Sequence, residues 1–317
     1  MTTPFVETHT AGLTDLPLLR RLVDQSVTLD NESAYTNDAR STLTGVLLPA
    51  RGQVTVIARG GQTPVVGQIK LRYDEPNAHV VYVAPGPDHS ADDTVWLHAL
   101  DAMAREAGKL HAHNLVAEVE ENSPLFEILR RAGYAVYTRQ QLWQRRGMYS
   151  AMPTRFKLFE ETQEDLMGVQ ALMASCVPRL VMPFAVPPGD MPRLVYRENG
   201  QVMAYIAYSS GKRGIYILSY MHTDVIPDAS QILDAALQMI APASSNTPIV
   251  FCVRRFQDWM STPMERLGLT PGPQQALMVK HIAAGVRQTQ FEALTEKLSR
   301  VNARPSTTKR INTILMP

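Results

Sequence analysis

Apolar and polar positions along this chain fall into blocks whose spacing switches between the alternation of strands and the three-to-four-residue recurrence of helices. Phe5–Thr8 reads as a short strand, and Gly12 with Thr14-Asp15 leads into a helix with Leu16, Leu19, Leu22 and Val23 on one face. A poorly periodic stretch to about Leu48 is expected to hold a second helix. Val54–Ala58 and Val65–Arg72 flank Gly60-Gly61-Gln62-Thr63-Pro64, the pattern of a hairpin. Val80–Val83 is a further strand, Thr94–Ala107 a helix closed by Gly108, and Leu115–Val119 a strand. Ser123-Pro124 opens a helix that ends at Gly133, and Ala135–Gln144 alternates as a last strand.

The second half repeats this order. Phe156–Glu160 is a strand, and Thr162-Gln163-Glu164-Asp165 has the spacing of a capping box before the helix that carries Leu166, Val169, Leu172 and Met173. Arg193–Arg197 and Val202–Tyr208 flank Glu198-Asn199-Gly200, a hairpin turn. Ile215–Tyr220 is a strand, Ala229–Ile240 a helix, Pro248–Val253 a strand, Thr262–Leu267 a helix ending at Gly268, and Ala276–Ile282 a closing strand. The chain thus holds an internal repeat of about 150 residues in element order, with little residue identity between the copies. Arg145–Pro153 breaks the pattern, which places two domains at 1–148 and 149–285. Phe291, Leu294, Leu298 and Val301 recur at helical spacing in a remaining segment, 286–317, read as a C-terminal helix and arm able to dock on the body or on a second subunit.

Composition narrows the classes. The 317 residues are 45% hydrophobic and 19% charged, with a net charge of +1, which fits a folded protein and argues against a nucleic-acid binder. Charge is uneven: residues 1–150 hold 14 Lys/Arg against 17 Asp/Glu, a net of −3, and 286–317 hold 6 against 2, a net of +4. Cys176 and Cys252 form no metal or redox spacing. No signal-peptide pattern opens the sequence, and no apolar run approaches the roughly 20 residues that cross a bilayer. The expectation is a soluble, cytoplasmic protein with no metal, no nucleic acid and no membrane among its partners.

The order strand, helix, hairpin, strand, loop, helix, strand, helix, strand, together with Tyr82-Val83-Ala84-Pro85 and Asn122-Ser-Pro-Leu-Phe-Glu-Ile-Leu-Arg-Arg-Ala-Gly-Tyr134, resembles the GNAT (Gcn5-related N-acetyltransferase) superfamily. A weaker copy ends in Pro263-Met-Glu-Arg-Leu-Gly-Leu269. The resemblance implies an α/β (α+β) fold of two tandem GNAT-like domains, each a mixed, mostly antiparallel sheet flanked by helices. It implies acetyl-CoA as cofactor, with strand backbone at Tyr82, Val83 and Ala84 along the pantetheine and Asn122 at the helix start. An unidentified amine would be the acceptor.

The loops carry different chemistry. The family's pyrophosphate loop, Arg/Gln-x-x-Gly-x-Gly/Ala, laid from Pro85 puts its basic position on Asp88, its first glycine on Ala91 and its second on Asp93. Carboxylates facing phosphates cost about 1 kcal/mol or more per close pair, whereas Asp92 and Asp93 are favoured simply as caps of the following helix. The matching second loop, Met221–Ser230, has no glycine or arginine, and Pro227 lacks an N–H. His222 there reads as structural or as a phosphate contact. The general-acid tyrosine that the resemblance places four residues before the Gly-Phe glycine is Leu129 in the first half and Met264 in the second, and Gln257 stands where the first half has Asn122.

Tyr134 or Tyr137 could serve as the acid in its place, or pack with their hydroxyls at the rim. Glu118 and Glu120 share one strand face, and Glu121 follows; a glutamate of raised pKa there could accept a proton from an amine, or all could form a solvated edge. His111-Ala112-His113 has strand-ligand spacing without a third ligand. Two classes of function stay open: an acetyl-CoA-dependent N-acyltransferase, and a catalytically degenerate tandem fold that binds or senses a small amine or peptide, or serves as a structural subunit.

Overall fold

The structure is a computed structural model that describes residues 6–36, 52–60, 63–87, 92–147, 149–151, 153–241 and 246–282. In the first half, β1 (Glu7–Thr10) leads to α1 (Leu16–Val23), then β2 (Val27–Thr28) and α2 (Asn31–Thr36). The hairpin is β3 (Gln53–Arg59) with β4 (Val65–Leu71), followed by β5 (Asn77–Ala84), α3 (Thr94–Lys109), β6 (Asn114–Glu120), α4 (Pro124–Arg131) and β7 (Ala135–Arg145). The second half holds β8 (Phe159–Glu160), α5 (Leu166–Cys176), α6 (Met182–Ala185), β9 (Arg193–Glu198), β10 (Gln201–Gly211), β11 (Gly214–Met221), α7 (Ala229–Ile240), β12 (Ile249–Arg254), α8 (Ser261–Arg266) and β13 (Thr270–His281).

Local chemistry explains the boundaries. Ser123 Oγ accepts from Leu125 N at 3.3 Å with Pro124 at the first helical position, so α4 begins where its sequence signal lies. Asp165 accepts from Thr162 N at 2.8 Å and takes both arms of Arg197 at 2.6 Å, which pins the start of α5 to β9. This fork of hydrogen bonds holds the Asp165 carboxyl well below the usual carboxylate range. Asn199 and Gly200 both take positive φ, 51° and 78°, as the tight turn between β9 and β10 requires.

Gly108 does not close α3. The helix runs to Lys109, and the left-handed residue that ends it is His111, at φ 66°. Ala112 N reaches back to Ala107 O at 3.0 Å, the six-to-one bond of a Schellman ending, and Gly108 instead leaves room for Ile282 packed against it. The strand expected over Phe156–Glu160 is reduced to β8, and β13 starts at Thr270, ahead of the expected Ala276. The expected helix around Phe291–Val301 lies outside the described residues, as do Asp88 and Ala91. Among the described residues no helix is long and apolar enough to cross a membrane.

The thirteen strands of the described residues form one mostly antiparallel sheet in the order β1-β3-β4-β5-β6-β13-β7-β12-β11-β10-β9-β8, with β2 paired to β5 off that path. From its centre the order runs outward identically in both directions: β13, β6, β5, β4, β3, β1 on one side and β7, β12, β11, β10, β9, β8 on the other. The last strand of each half is therefore exchanged. β13 lies between β6 and β7, and β7 lies between β12 and β13, so the sheet crosses the expected boundary at 148/149 through both strands. Gln140 and Gln275 face each other at the junction.

Each half buries both faces of its sheet. In the first, α3 and α4 cover a cluster that includes Leu100, Met103, Leu115, Leu125 and Leu129, and Gly67 on β4 gives Met103 its space, because a Cβ there would sit 2.6 Å from Met103 Sδ. In the second, α7 and α8 cover Ile232, Leu233, Phe251, Met260 and Met264, and α5 packs Leu172 and Met173 on the other face.

The exchange generates a prediction. Fragments 1–148 and 149–317 produced separately each lack a central strand and should show no cooperative thermal transition by circular dichroism, whereas the co-expressed pair should. A sharp transition in either fragment alone would show that the exchanged strand is dispensable.

Candidate functional site

Among the described residues only two neighbouring strand pairs in the sheet are parallel, and both part after three residue pairs. β5 and β6 pair over Asn77↔Asn114, Ala78↔Leu115 and His79↔Val116. β11 and β12 pair over Ile215↔Ile249, Tyr216↔Val250 and Ile217↔Phe251. Beyond these points each pair opens into a V, and the facing N–H and C=O groups need other partners.

In the first half the chain itself fills the V. β2 pairs with β5 at Val27↔Val83 and Thr28↔Tyr82. Leu29 then bridges both strands: its N–H donates to Val81 O at 2.9 Å and its carbonyl accepts from Glu118 N at 2.8 Å. Gly86 N donates to Gln25 O at 3.0 Å at one end, and Asn31 N donates to Glu118 Oε2 at 2.7 Å at the other. Leu29 is 1% exposed and belongs to the core under α3. The backbone at Tyr82 and Val83 is thus paired on its other edge to β4, at Gln68 and Gly67, and on this edge to Thr28 and Val27. Ala84 is paired to Val66 and buried. The edge that the sequence offered to a pantetheine is occupied.

In the second half a side chain does the same work. Gln257 Nε2 donates to Ser219 O on β11 at 2.6 Å, and its Oε1 accepts from Arg254 N on β12 at 3.2 Å. Gln257 is buried, and Met260 behind it is fully buried with its sulfur 3.7 Å from Ser219 Oγ.

The phosphate positions are engaged in capping and pairing. Asp92 Oδ1 accepts from Thr94 N at 3.0 Å, and these Thr94 bonds hold its carboxyl below the usual value. Asp93 is ion-paired with Arg131 on α4. In the second loop, Thr223–Asp228 is a 3-10 turn with Pro227 inside it, and His222 Nδ1 caps it by accepting from Asp224 N at 3.3 Å. Leu129 and Met264, at the general-acid positions, are fully buried core residues.

The other sequence candidates separate. Tyr134 is buried, its hydroxyl has no hydrogen-bond partner among the described residues, and burial alone pushes its pKa far up. It is therefore neither a rim residue nor placed to donate a proton. Tyr137 bonds His281 Nε2 and sets its ring edge-on to Phe184 at 5.0 Å between centroids. Asn122, His111 and His113 are exposed, as is Glu120 at the end of β6, and Glu121 pairs with Arg139 at 2.7 Å. Glu118 is brought into a buried cavity, and His111 lines a separate one. Glu118 is buried, accepts from Asn31 N and from Gln140 Nε2 at 2.8 Å, and is held above the usual glutamate range by desolvation and by the charge of Asp30.

That cavity lies between the halves, and the sequence reading missed most of what lines it. His79 of β5 and Glu118 of β6 face Tyr216 of β11 and Arg254 of β12, with Asp30 and Phe184 beside them. Arg254 closing the apolar run Ile249–Val253 was the one visible signal, a charge at the end of a buried strand. Arg72 ties the two sides together by pairing with Glu32 of α2 and with Asp190 at 3.3 Å.

With this geometry in place, comparison with known proteins is informative about fold. The chain has the fold of the GNAT superfamily in a tandem arrangement. It is similar to a GCN5-related N-acetyltransferase from Sphaerobacter thermophilus, with 12% identity, TM-score 0.52 and coverage of 87% of this chain and 96% of that one. It is similar also to a tandem GNAT protein from the clavulanic acid biosynthesis pathway, solved without acetyl-CoA, with 14% identity, TM-score 0.50 and coverage of 88% and 99%. No protein-family model matches the chain, and no curated protein matches it by sequence.

Two substitutions test these placements. Tyr134→Phe removes a buried hydroxyl that lacks a partner and should leave stability unchanged or raise it by about 1 kcal/mol in urea unfolding; a clear loss would reveal a partner. Gln257→Ala strands Ser219 O and Arg254 N and should cost about 1–3 kcal/mol, whereas an unchanged urea midpoint would show that the second V needs no bridge.

Proposed function

We propose that this chain uses the tandem GNAT fold to bind a ligand, and that neither half carries out acyl transfer from acetyl-CoA. The observation that carries this reading is the segment Gln25–Asn31, whose backbone fills the first V and consumes hydrogen-bonding groups that a pantetheine would need. A cofactor entering there must displace Leu29 from the core, which by itself forfeits about 1.5–3 kcal/mol of buried apolar side chain. The residues present do not fit acetyl-CoA in the second half either, because Gln257 spans that V and the following loop turns on Pro227.

Three further features support the same reading. Asp93 is committed to Arg131 at the helix start where phosphate would sit. Leu129 and Met264 are core residues that cannot donate a proton. Glu118, buried in the cavity between the halves, has its two oxygens bonded to Asn31 and Gln140. The reading is a binding or sensing protein built on an acetyltransferase frame, acting on small polar molecules.

Calorimetric titration of the intact protein with acetyl-CoA and with coenzyme A, each to about 1 mM, should give no binding heat and no rise in the thermal midpoint. The double variant Asp88→Arg, Asp93→Gly should remain silent as well, because it restores loop charge without opening the V. Saturable acetyl-CoA binding by the parent would overturn the reading, as would acetylation of any amine in an acceptor panel.

A further inference from the structure

The cavity between the halves buries charged groups whose compensation within the protein is partial: Arg254 feels the charge of Glu118 and Asp30 that of Arg72, without a direct ion pair in either case. Arg254 is 5% exposed. Its Nη1 donates to Tyr220 Oη at 2.9 Å and to Ala185 O at 3.4 Å, and its Nη2 donates to Phe184 O at 3.1 Å. All of these partners are neutral. Among the described residues its Nε has no hydrogen-bond partner, and the nearby Glu118 acts on the guanidinium through its charge without an ion-pair contact. An arginine stays charged in any protein, and a buried charge without a counter-charge is costly.

The same cavity is lined by Asp30, Glu32, Glu75 and Glu118 and by Arg72, which pairs with Glu32; Asp30 and Glu118 are buried in each other's field. Glu118 and Asp30 both line the cavity, at 8% and 4% exposure. Each Glu118 oxygen receives one hydrogen bond, from Gln140 or from Asn31, and Asp30 Oδ2 receives one from Ser33 Oγ at 2.6 Å. A carboxylate offers about four acceptor sites, so both retain capacity for a cationic donor. The His79 ring, also lining the cavity, makes no side-chain hydrogen bond to a described residue, and desolvation favours its neutral form.

We propose that this cavity binds a small zwitterion, an α-amino acid with a side chain no larger than a methyl group, with its carboxylate on Arg254 and its ammonium between Asp30 and Glu118. One ligand then neutralises the buried guanidinium and separates the two acids. An anion alone leaves the acids in each other's field, and a cation alone leaves Arg254 without a direct counter-charge. Size sets the upper limit: the cavity measures about 70 Å³, on a measure by which one water needs about 10–15 Å³, so it has room for a few heavy atoms only. The lining extends to Val186, which is 59% exposed, so an entry path runs past α6.

This inference rests on the binding reading above and names the ligand class for it. The intact protein is titrated with glycine, acetate and methylamine in parallel, each to about ten times a millimolar Kd, with heat and thermal midpoint recorded. Glycine should bind saturably, and acetate and methylamine at least tenfold more weakly. Asp30→Asn and Glu118→Gln should each weaken glycine tenfold or more while retaining the far-ultraviolet circular dichroism of the parent. Arg254→Lys is a second arm, read only if its spectrum matches the parent, and should lose glycine likewise.

No response to glycine at about 10 mM, tenfold over a millimolar Kd, overturns the assignment and means that water alone fills the cavity. Equal affinity for acetate or methylamine overturns it too, as does unchanged glycine affinity in the folded variants. The acetyl-CoA titration is independent of all these outcomes. Silence toward glycine with silence toward acetyl-CoA therefore removes the ligand class only, and acetyl-CoA binding removes the broader reading.

Discussion

The whole sheet depends on the antiparallel contact between β7 and β13, each the last strand of its own half and the inner neighbour of the other half's β12 or β6. A sheet strand surrenders its backbone hydrogen bonds if its neighbour is withdrawn, and these are central strands with no solvent to replace the loss. Neither half can be lifted away without exposing the edges of β6 and β12. The same contact fixes which surfaces meet. With Gln140 opposite Gln275, Glu118 on β6 and Arg254 on β12 become walls of one cavity, though 136 positions separate them in the chain.

Much of this architecture is legible in the residues because its causes are local. Leu16, Leu19, Leu22 and Val23 recur at helical spacing, Asn199-Gly200 takes the positive φ that its turn needs, and Ser123-Pro124 caps and starts α4. The tandem repeat is visible for the same reason, since element order is the sum of such local choices. The strand exchange is not. β7 and β13 alternate as any half-buried strand does, and alternation specifies which face a residue takes without naming the strand beside it.

The candidate site divides along the same line. Asp92 at a helix start and Leu129 in place of a tyrosine carry their meaning in one position, and the geometry at both is that of a cap and a core residue. Glu118 and Glu120 share a strand face and cannot be told apart by spacing; burial separates them, because α2 and the second half cover one and leave the other at the strand end. Leu29 gave no signal, since Gln25–Asn31 has neither helical nor strand period. Its role comes from two backbone bonds to strands lying far along the chain.

Those bonds explain why the departures from the family pattern occur together. Two parallel strands that part must satisfy their inner N–H and C=O groups with something, and unpaired buried groups cost about 1–3 kcal/mol each. In an enzyme that carries a pantetheine in the V, a bound cofactor can supply the partners, and the protein without it relies on water. Here the first V is closed by main chain at Leu29 and the second by the amide of Gln257, two unrelated devices meeting one demand. On the binding reading proposed above, once the V is closed from within, a helix N-terminus beside it has no phosphate to hold. Asp93 can then pair with Arg131, and a proline can occupy the matching loop without loss. On that same proposed reading, the altered loops follow from the filled clefts, and the polar cavity where the halves face each other is the place left for a small molecule.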